Sequence, residues 1–254
     1  MTIDSSSSSS SIFIPSLSVI SWNAQGLCQN NFKWTQLQLL CDHHKPIAIL
    51  IQDHRLNTDH QYKIKGYNIV YVNRHLLNII RDDVEMINLT QYNSSVSKKL
   101  YTSWMSIRMN YHDRRLLLCN TYRLPFTSTV VEERVTIQRL VNSIETVMNQ
   151  FNYSDIIVIG DFNSHSIHWS NKSHSSGDEL YRQMNSINFQ NLNEHFAYSE
   201  PTHTLGGVID LAWTESLELI HSMNIDHEYL YSDHYPIVVN LHIQHHCNKQ
   251  PRQL

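Results

Sequence analysis

Polar residues follow directly after apolar runs at several points of this sequence, and their types could do chemistry together. Residues 156–159 are a β-branched apolar run that predicts a buried strand, and Asp161 and Asn163 follow it after one glycine. In an extended chain, residues two apart point to the same side, so the carboxylate and the amide would share one face. Taken alone, the pair is more typical of a simple turn. Its interest depends on which other residues could meet it.

The other predicted strands carry similar residues at or near their ends. Apolar runs predict these strands at 18–22, 47–51, 115–121, 208–213 and 236–241. The associated polar residues are, in chain order, Asn23, Asp53, Tyr122, Asp210, Asp233 and His234. Each alone is also consistent with a turn, a helix cap or a packing residue. Their joint order is much harder to explain by chance.

Such a set of carboxylates, amides, a phenol and an imidazole has a definite chemical use. Mg²⁺ prefers oxygen ligands, and one or two protein carboxylates usually hold it together with waters and substrate phosphate. A bound metal neutralises the phosphate and stabilises the leaving oxygen, while a His–Asp pair can act on the attacking water. If the strand ends converge, they predict metal-assisted hydrolysis of a phosphate ester.

The elements that must position these residues alternate between strands and helices. Amphipathic periodicity predicts helices at 32–43, 130–151 and 178–189, and further strands are predicted at 67–72 and 101–109. Residues 73–100 show no clear pattern. Without an internal linker or repeat, the chain is predicted to form one α/β domain at 12–245, between a disordered serine-rich tail at 1–11 and a polar tail at 246–254.

Composition narrows the function classes. The 254 residues are 41% hydrophobic and 17% charged, and no apolar run is long enough for a membrane span or a secretory signal. The net charge of −4 gives no global sign of nucleic-acid binding, although a local basic patch would be enough. The scattered cysteines predict reduced thiols in an intracellular protein. They are Cys28, Cys41, Cys119 and Cys247.

Six segments in a fixed order carry a family resemblance. They are SWNAQGL, IQDHR, NTYRLP, GDFNSHSIHW, PTHTLGGVIDLAW and SDHYPIVV. Together they resemble the endonuclease/exonuclease/phosphatase superfamily over most of the chain. The histidine and tryptophan that follow GDFN look like those of the endonucleases of non-LTR (LINE-type) retrotransposons. The resemblance implies a DNase I-like α/β fold, a four-layer α/β sandwich in which two packed mixed or antiparallel β-sheets are flanked by helices.

The resemblance also implies a metal site. Asn23 and Asp53, with Asp233, match positions that hold Mg²⁺ or Mn²⁺. Asp53 stands where the family has glutamate, which shortens the side chain by about 1.5 Å, one C–C bond. A bridging water could compensate for this, or metal binding could be weaker. A second departure is the absence of glycine at 78–89, where the family has a glycine-rich strand, so that this strand is either rebuilt or lost.

The remaining matches imply substrate binding and catalysis. Tyr122 and Asn163 match residues that contact the scissile phosphate, and Arg123 and His165 are further candidates for substrate binding.

The water and the histidine would be oriented by acids. Asp161 matches the acid that orients or activates water, and Asp210 supports this network. Asp233 would fix the tautomer of His234 beside the phosphate. Whether His234 is the base or stabilises the phosphate stays open.

The sequence therefore predicts a divalent-metal-dependent endonuclease that nicks DNA inside the cell, in the nucleus. It would bind the phosphate backbone, and the oligomeric state is not predicted. Candidate phosphate contacts are Arg55, Lys63, Lys65, Arg108, Arg114, Arg115 and Arg123. Two alternatives stay open: a phosphatase of the same fold that acts on a small-molecule or lipid phosphate, and a catalytically decayed module that binds DNA or protein.

Overall fold

The structure is a computed structural model that describes most of the chain. The described residues are 17–27, 31–57, 62–97, 99–109, 115–125, 129–151, 155–228 and 231–242. Both predicted tails lie outside these ranges, as do Cys28, Cys247 and Arg114. Cys41 and Cys119 are buried free thiols. No helix in the described part of the chain is long and apolar enough to cross a membrane.

Strands predominate in the described residues. They are β1 (Leu17–Asn23), β2 (Ala48–Gln52), β3 (Tyr67–Tyr71), β4 (Leu76–Arg81), β5 (Met86–Asn88), β6 (Ser94–Ser97), β7 (Leu100–Arg108), β8 (Arg115–Arg123), β9 (Asp155–Asp161), β10 (Gln190–Asn191), β11 (Asp210–Thr214), β12 (Ile220–Ile225) and β13 (Ile237–Leu241). The α-helices are α1 (Asn31–His44), α2 (Val130–Gln150), α3 (Ser175–Ser186) and α4 (Leu192–Phe196).

The strands form two mixed sheets. The first has the order β12-β13-β1-β2-β4-β3, and the second has the order β10-β11-β9-β8-β7-β5, with β6 also paired to β7. The β1–β2 and β8–β9 pairs are parallel, and the other pairs are antiparallel. One apolar cluster fills the space between the sheets. Helix α1 covers the outside of the first sheet, while α2 and α3 cover the second. The predicted four-layer α/β sandwich is therefore confirmed.

Alternation along β9 explains how the sheet presents its chemistry. Ile157 and Ile159 face the core between the sheets, whereas Ile156 and Val158 face the helices. Because the side-chain period of a strand is two, Asp161 continues the inner series and points between the sheets at the end of the strand. The polar residues at the strand ends therefore converge between the sheets.

Gly160 permits the close approach of the two parallel strands that lead to this end. It lies opposite Thr121, and its φ is +152°. A Cβ at this position would lie 1.9 Å from the backbone oxygen of Thr121, a distance that no side chain could accommodate. Glycine is required here, immediately before Asp161.

The structure also supplies elements that the sequence pattern did not predict. Strand β4 lies within the segment without a clear pattern and pairs with both β2 and β3, so the glycine-poor strand is rebuilt and not lost. Strand β12 and helix α4 were likewise not predicted. Helix α3 begins at Ser175, three residues before the predicted start, because the His174 side chain caps its first turn.

Candidate active site

Four side chains meet at one end of the sandwich. Asn23 ends β1, Asp161 ends β9, Asp210 begins β11, and His234 lies just before β13. They are 1–4% exposed. Both sheets contribute to this group, and sequence analysis predicted all four residues as site residues.

Asp161 is held by amide groups. Its Oδ1 accepts a hydrogen bond from the backbone N–H of Asn163 at 2.8 Å. Its Oδ2 accepts from Asn23 Nδ2 at 2.9 Å and from Asn163 Nδ2 at 3.0 Å. Asn163 has a φ of +46°, a conformation that asparagine tolerates better than most residues. The turn at Asn163 thus brings its amide group back onto the carboxylate two residues earlier.

Asp210, and not Asp233, is the partner of His234. The Nδ1 atom of His234 lies 2.8 Å from Asp210 Oδ2, while Nε2 lies 3.4 Å from Asn23 Nδ2. Asp233 is exposed, and the contacts of its main chain are to Gln25 and Thr204. The prediction that Asp233 fixes the histidine tautomer is therefore wrong. Ser232 explains part of the geometry, since its hydroxyl accepts from the His234 N–H and donates to the Asn23 carbonyl.

The burial of several charges together changes their protonation. Burial raises the pKa of Asp161 to about 7, helped by the neighbouring Asp210 carboxylate and opposed by His234 and the Asn23 hydrogen bond. Burial alone would lower the pKa of His234, but the carboxylates, with Asp210 foremost, raise it to about 9. Without a cation, these buried side chains tend to hold their protons. A divalent ion nearby would favour loss of the protons.

The donor set fits a divalent metal. Among the described residues, the one group of His, Cys, Asp or Glu side chains close enough to hold an ion is Asp161, Asp210 and His234, whose ligand atoms lie within 4.8 Å of one another. Asp210 Oδ1 is buried without a hydrogen-bond partner among the described residues. Such an orphaned carboxylate oxygen suits an ion that prefers oxygen ligands. Asp53 and Asp233, both predicted as ligands, are not members of this group.

Asp53 instead forms an ion pair on the first sheet's side of the site. Arg55 Nε lies 3.1 Å from Asp53 Oδ1, and Arg55 Nη2 lies 2.5 Å from Oδ2. Asn23, the other predicted ligand, presents its amide nitrogen to Asp161, while its Oδ1 accepts from the Gln25 N–H. The metal roles of Asp53 and Asn23 therefore remain predictions.

Tyr122 lies near the end of β8 and pairs in register with Asp161 of β9. It is 5% exposed, and burial raises its pKa, with further contributions from the Asp53 and Asp161 carboxylates. The phenol is therefore protonated at neutral pH and can donate a hydrogen bond. A contact of Tyr122 with the scissile phosphate remains a prediction.

A buried polar network joins the two sheets beneath Asp53 and Tyr122. Gln52 Nε2 donates to Asn120 Oδ1 at 2.7 Å, and Asn120 Nδ2 donates to Asn78 Oδ1 at 2.9 Å. Asn78 in turn donates to the Ser103 hydroxyl. Because Gln52 precedes Asp53, and Asn120 is two residues before Tyr122, the network fixes both strand ends.

Arg123 is not placed to meet a substrate at the surface. It is 3% exposed, its Nη1 donates to the Ser164 hydroxyl, and its carbonyl accepts from Asn163 Nδ2 at 2.6 Å. The predicted substrate contact is corrected to an internal one, because the guanidinium lies beneath the 161–166 loop. Ser164 was not among the residues predicted from the sequence, where its only signal is its place directly after Asn163.

His165 is half-buried in the loop that follows Asn163. Burial lowers its pKa, and the charges of Lys172, His174 and His203 act in the same direction. The ring of His203 lies edge-on to that of His234, with centroids 4.7 Å apart. A substrate contact by His165 remains a prediction.

Thr202 was missed, although it belongs to the PTH segment. Its hydroxyl oxygen accepts hydrogen bonds from the backbone N–H groups of Ile209 and Asp210, both at 3.0 Å. The threonine therefore fixes the turn that leads into Asp210.

Two of the predicted phosphate-binding arginines lie at the opposite end of the second sheet. Arg108 and Arg115 face each other across β7 and β8, and both pair with Glu85. Since β8 rises by about 3.3 Å per residue, Arg115 lies roughly 20 Å from Tyr122. Neither arginine can contact a phosphate that is bound at the site.

Comparison with known proteins gives one family match. Residues 116–238 match the model of the Endonuclease-reverse transcriptase family. The matched segment runs from β8 into β13 and includes Tyr122, Asp161, Asp210 and His234. Among curated proteins, none matches this sequence.

Similar solved structures span nearly the whole chain. The endonuclease domain of TRAS1, a telomere-specific non-LTR retrotransposon, has a TM-score of 0.70 at 20% identity, covering 91% of this chain and 100% of that one. The AP endonuclease LMAP from Leishmania major has a TM-score of 0.68 at 14% identity, covering 89% and 88%. The 3′ phosphatase NExo from Neisseria has a TM-score of 0.62 at 12% identity, covering 89% and 99%.

At such identities the similar structures establish the fold and leave the substrate open. Together with the family match, they confirm the resemblance that the six sequence segments carry. The chain has the DNase I-like fold of the endonuclease/exonuclease/phosphatase superfamily, and within it the chain resembles the endonucleases of non-LTR retrotransposons.

Proposed function

We propose that this protein is a divalent-metal-dependent endonuclease that nicks DNA. The observation that carries the proposal is the buried group of Asp161, Asp210 and His234, held by Asn23 and Asn163 at one end of a nuclease-type sandwich. The TRAS1 endonuclease domain among the similar structures favours DNA as the substrate. The partner is the phosphate backbone of DNA, and we expect the protein to act in the nucleus.

We assign each side chain a task that its contacts support. Asp161 orients the attacking water, because amide donors hold its carboxylate in one direction. Asp210 holds Nδ1 of His234, which leaves Nε2 for the phosphate or the water. Tyr122 contacts the scissile phosphate, and its phenol donates a hydrogen bond to a phosphate oxygen. Asn163 would contact the phosphate by giving up one of its two amide N–H bonds, to Asp161 or to the Arg123 carbonyl.

The metal would be held by carboxylates. Asp210, through its unpartnered Oδ1, and Asp161 are the ligands that the buried group offers, with Asp53 and Asn23 nearby on the first sheet. Mg²⁺ or Mn²⁺ bound here supplies charge neutralisation for the phosphate and the leaving oxygen.

A second candidate is a phosphatase of the same fold. The 3′ phosphatase NExo among the similar structures favours it, since the same site chemistry serves terminal phosphates. The two functions differ in whether an internal phosphodiester is cut.

Conversion of supercoiled plasmid to open circle tests the proposal. Wild-type protein should nick with Mg²⁺ or Mn²⁺ and should stop in EDTA. Asp161→Ala and His234→Ala should each lower the rate by about 10²-fold or more, as expected for loss of a positioned acid–base group. Circular dichroism of both variants controls for folding. Nicking that persists in folded variants, or folded wild-type protein that never nicks, would contradict the proposal.

A further inference from the structure

We infer that Arg55 competes with the divalent metal for the Asp53 carboxylate and thereby sets the metal affinity of the site. This rests on the proposed metal-dependent function. The contact occupies both oxygens of Asp53, because Nε faces Oδ1 and Nη2 faces Oδ2 in a forked arrangement. A guanidinium fork and a metal ion cannot both take these oxygens with full coordination.

The pair is built into the local backbone. Asp53 and Arg55 both have positive φ, +48° and +50°. Between them, His54 is buried, with Nε2 against the Asn73 carbonyl at 2.7 Å and Nδ1 accepting from the Leu56 N–H. With the central residue anchored, both neighbours turn to the same side, where their side chains meet.

Gly26 directs the arginine. Its N–H donates to the Asp53 carbonyl at 2.7 Å, so the loop after β1 lies against this turn. A Cβ on Gly26, whose φ is +85°, would lie 3.3 Å from Cδ of Arg55. The arginine stem therefore packs along the glycine, and this packing aims the guanidinium at Asp53.

Asp53 nevertheless lies at the same sheet end as the proposed metal site. It follows Gln52, which pairs in register with Asn23 across β1 and β2, and Asn23 donates to Asp161. The Asp53 side chain is 11% exposed, whereas that of Arg55 is 53% exposed. The arginine can therefore swing into solvent while the aspartate stays at the site.

Calorimetric titration of Mg²⁺ and of Mn²⁺ into metal-free protein measures the competition without any activity assay. Arg55→Gln should tighten binding about threefold to fivefold, the scale of a partly exposed ion pair. In the Asp53→Asn background the same Arg55→Gln change should alter the affinity by less than about twofold, since there is no carboxylate left to release.

Arg81 supplies a matched control. It makes the same forked contact over two residues, to Asp83, at the opposite end of the first sheet. Arg81→Gln removes the same charge and should leave metal affinity unchanged.

Three results would overturn the inference while leaving the nuclease proposal intact: unchanged or weaker binding in Arg55→Gln, equal tightening in the Asp53→Asn background, or equal tightening in Arg81→Gln. Folded wild-type protein that binds neither metal would instead remove the proposed function together with the inference.

Discussion

The two acidic regions of the site balance their charge in opposite ways. Asp161 and Asp210 are buried beside a histidine. Asp161 accepts hydrogen bonds from amide groups, and Asp210 pairs with His234. Asp53, from the first sheet, pairs with a half-exposed arginine. The buried region is fixed in geometry and sensitive to protonation, whereas the Asp53–Arg55 ion pair can open at little cost in free energy. We expect the buried region to determine whether hydrolysis occurs. The Asp53–Arg55 pair should set the metal concentration that hydrolysis needs.

The largest effect on the nicking rate is expected from the loss of the Asp210 carboxylate in the buried region. Asp210→Asn removes the acceptor of His234 Nδ1 and a carboxylate oxygen, so the nicking rate should fall about 10²- to 10³-fold. Asp233→Asn is the matched control, because it changes the same charge one residue from His234, and it should lower the rate by less than about tenfold. A larger loss in Asp233→Asn than in Asp210→Asn would reverse the assignment.

The stability of metal-free protein should depend on pH through the same pair. Because Asp210 raises the pKa of His234 to about 9, the pair stabilises the fold below the ordinary histidine pKa, and this stabilisation is lost as the pH rises through about 9. Urea unfolding in EDTA measures this. Between pH 6 and pH 9, the free energy of unfolding of the wild type should fall by on the order of 2 kcal/mol more than that of Asp210→Asn. If both proteins lost the same free energy of unfolding between pH 6 and pH 9, the stabilising role of the buried Asp210–His234 pair would be contradicted.

The smallest effect on catalysis is expected from a change in the 161–166 loop, which lies over Arg123. Ser164→Ala removes an acceptor of the buried Arg123 guanidinium, so the loop should lose precision and kcat should fall about tenfold. The KM for DNA and the salt dependence of binding should stay unchanged, because no phosphate contact is removed. Ser173→Ala, in the same segment between β9 and α3 but bonded to Asp178, should leave kcat unchanged. If DNA binding by Ser164→Ala depended less steeply on salt than binding by wild type, Arg123 would be a phosphate contact after all.

Local patterns predicted the strands whose ends carry the site, because those strands are continuous apolar runs. Strand β4 was missed because Asn78 interrupts its apolar run, and only the contacts with Asn120 and Ser103 across the sheets make that amide stable. Strand β12 was missed because an irregularity in register between Ile220 and Ser222 puts two polar residues in succession and breaks the alternation.

The partner of His234 could not be read from the sequence for a different reason. Asp233 is its neighbour in the chain, and adjacent residues in extended backbone point to opposite sides. Asp210 reaches the imidazole only because the turn anchored by Thr202 brings β11 beside the loop before β13. Contacts between distant segments decide such pairs, and one sequence does not encode them locally.

The most direct test of the central claim uses two phosphate esters in one reaction. Duplex oligonucleotides, one with only internal phosphodiesters and one ending in a 3′-phosphate, are incubated with wild-type protein and Mn²⁺ or Mg²⁺, with Asp161→Ala as the control. We predict internal nicks that carry a 3′-hydroxyl and that disappear in the variant. Removal of the terminal phosphate without internal nicks would indicate a phosphatase, and no reaction from folded protein would contradict catalysis by this site.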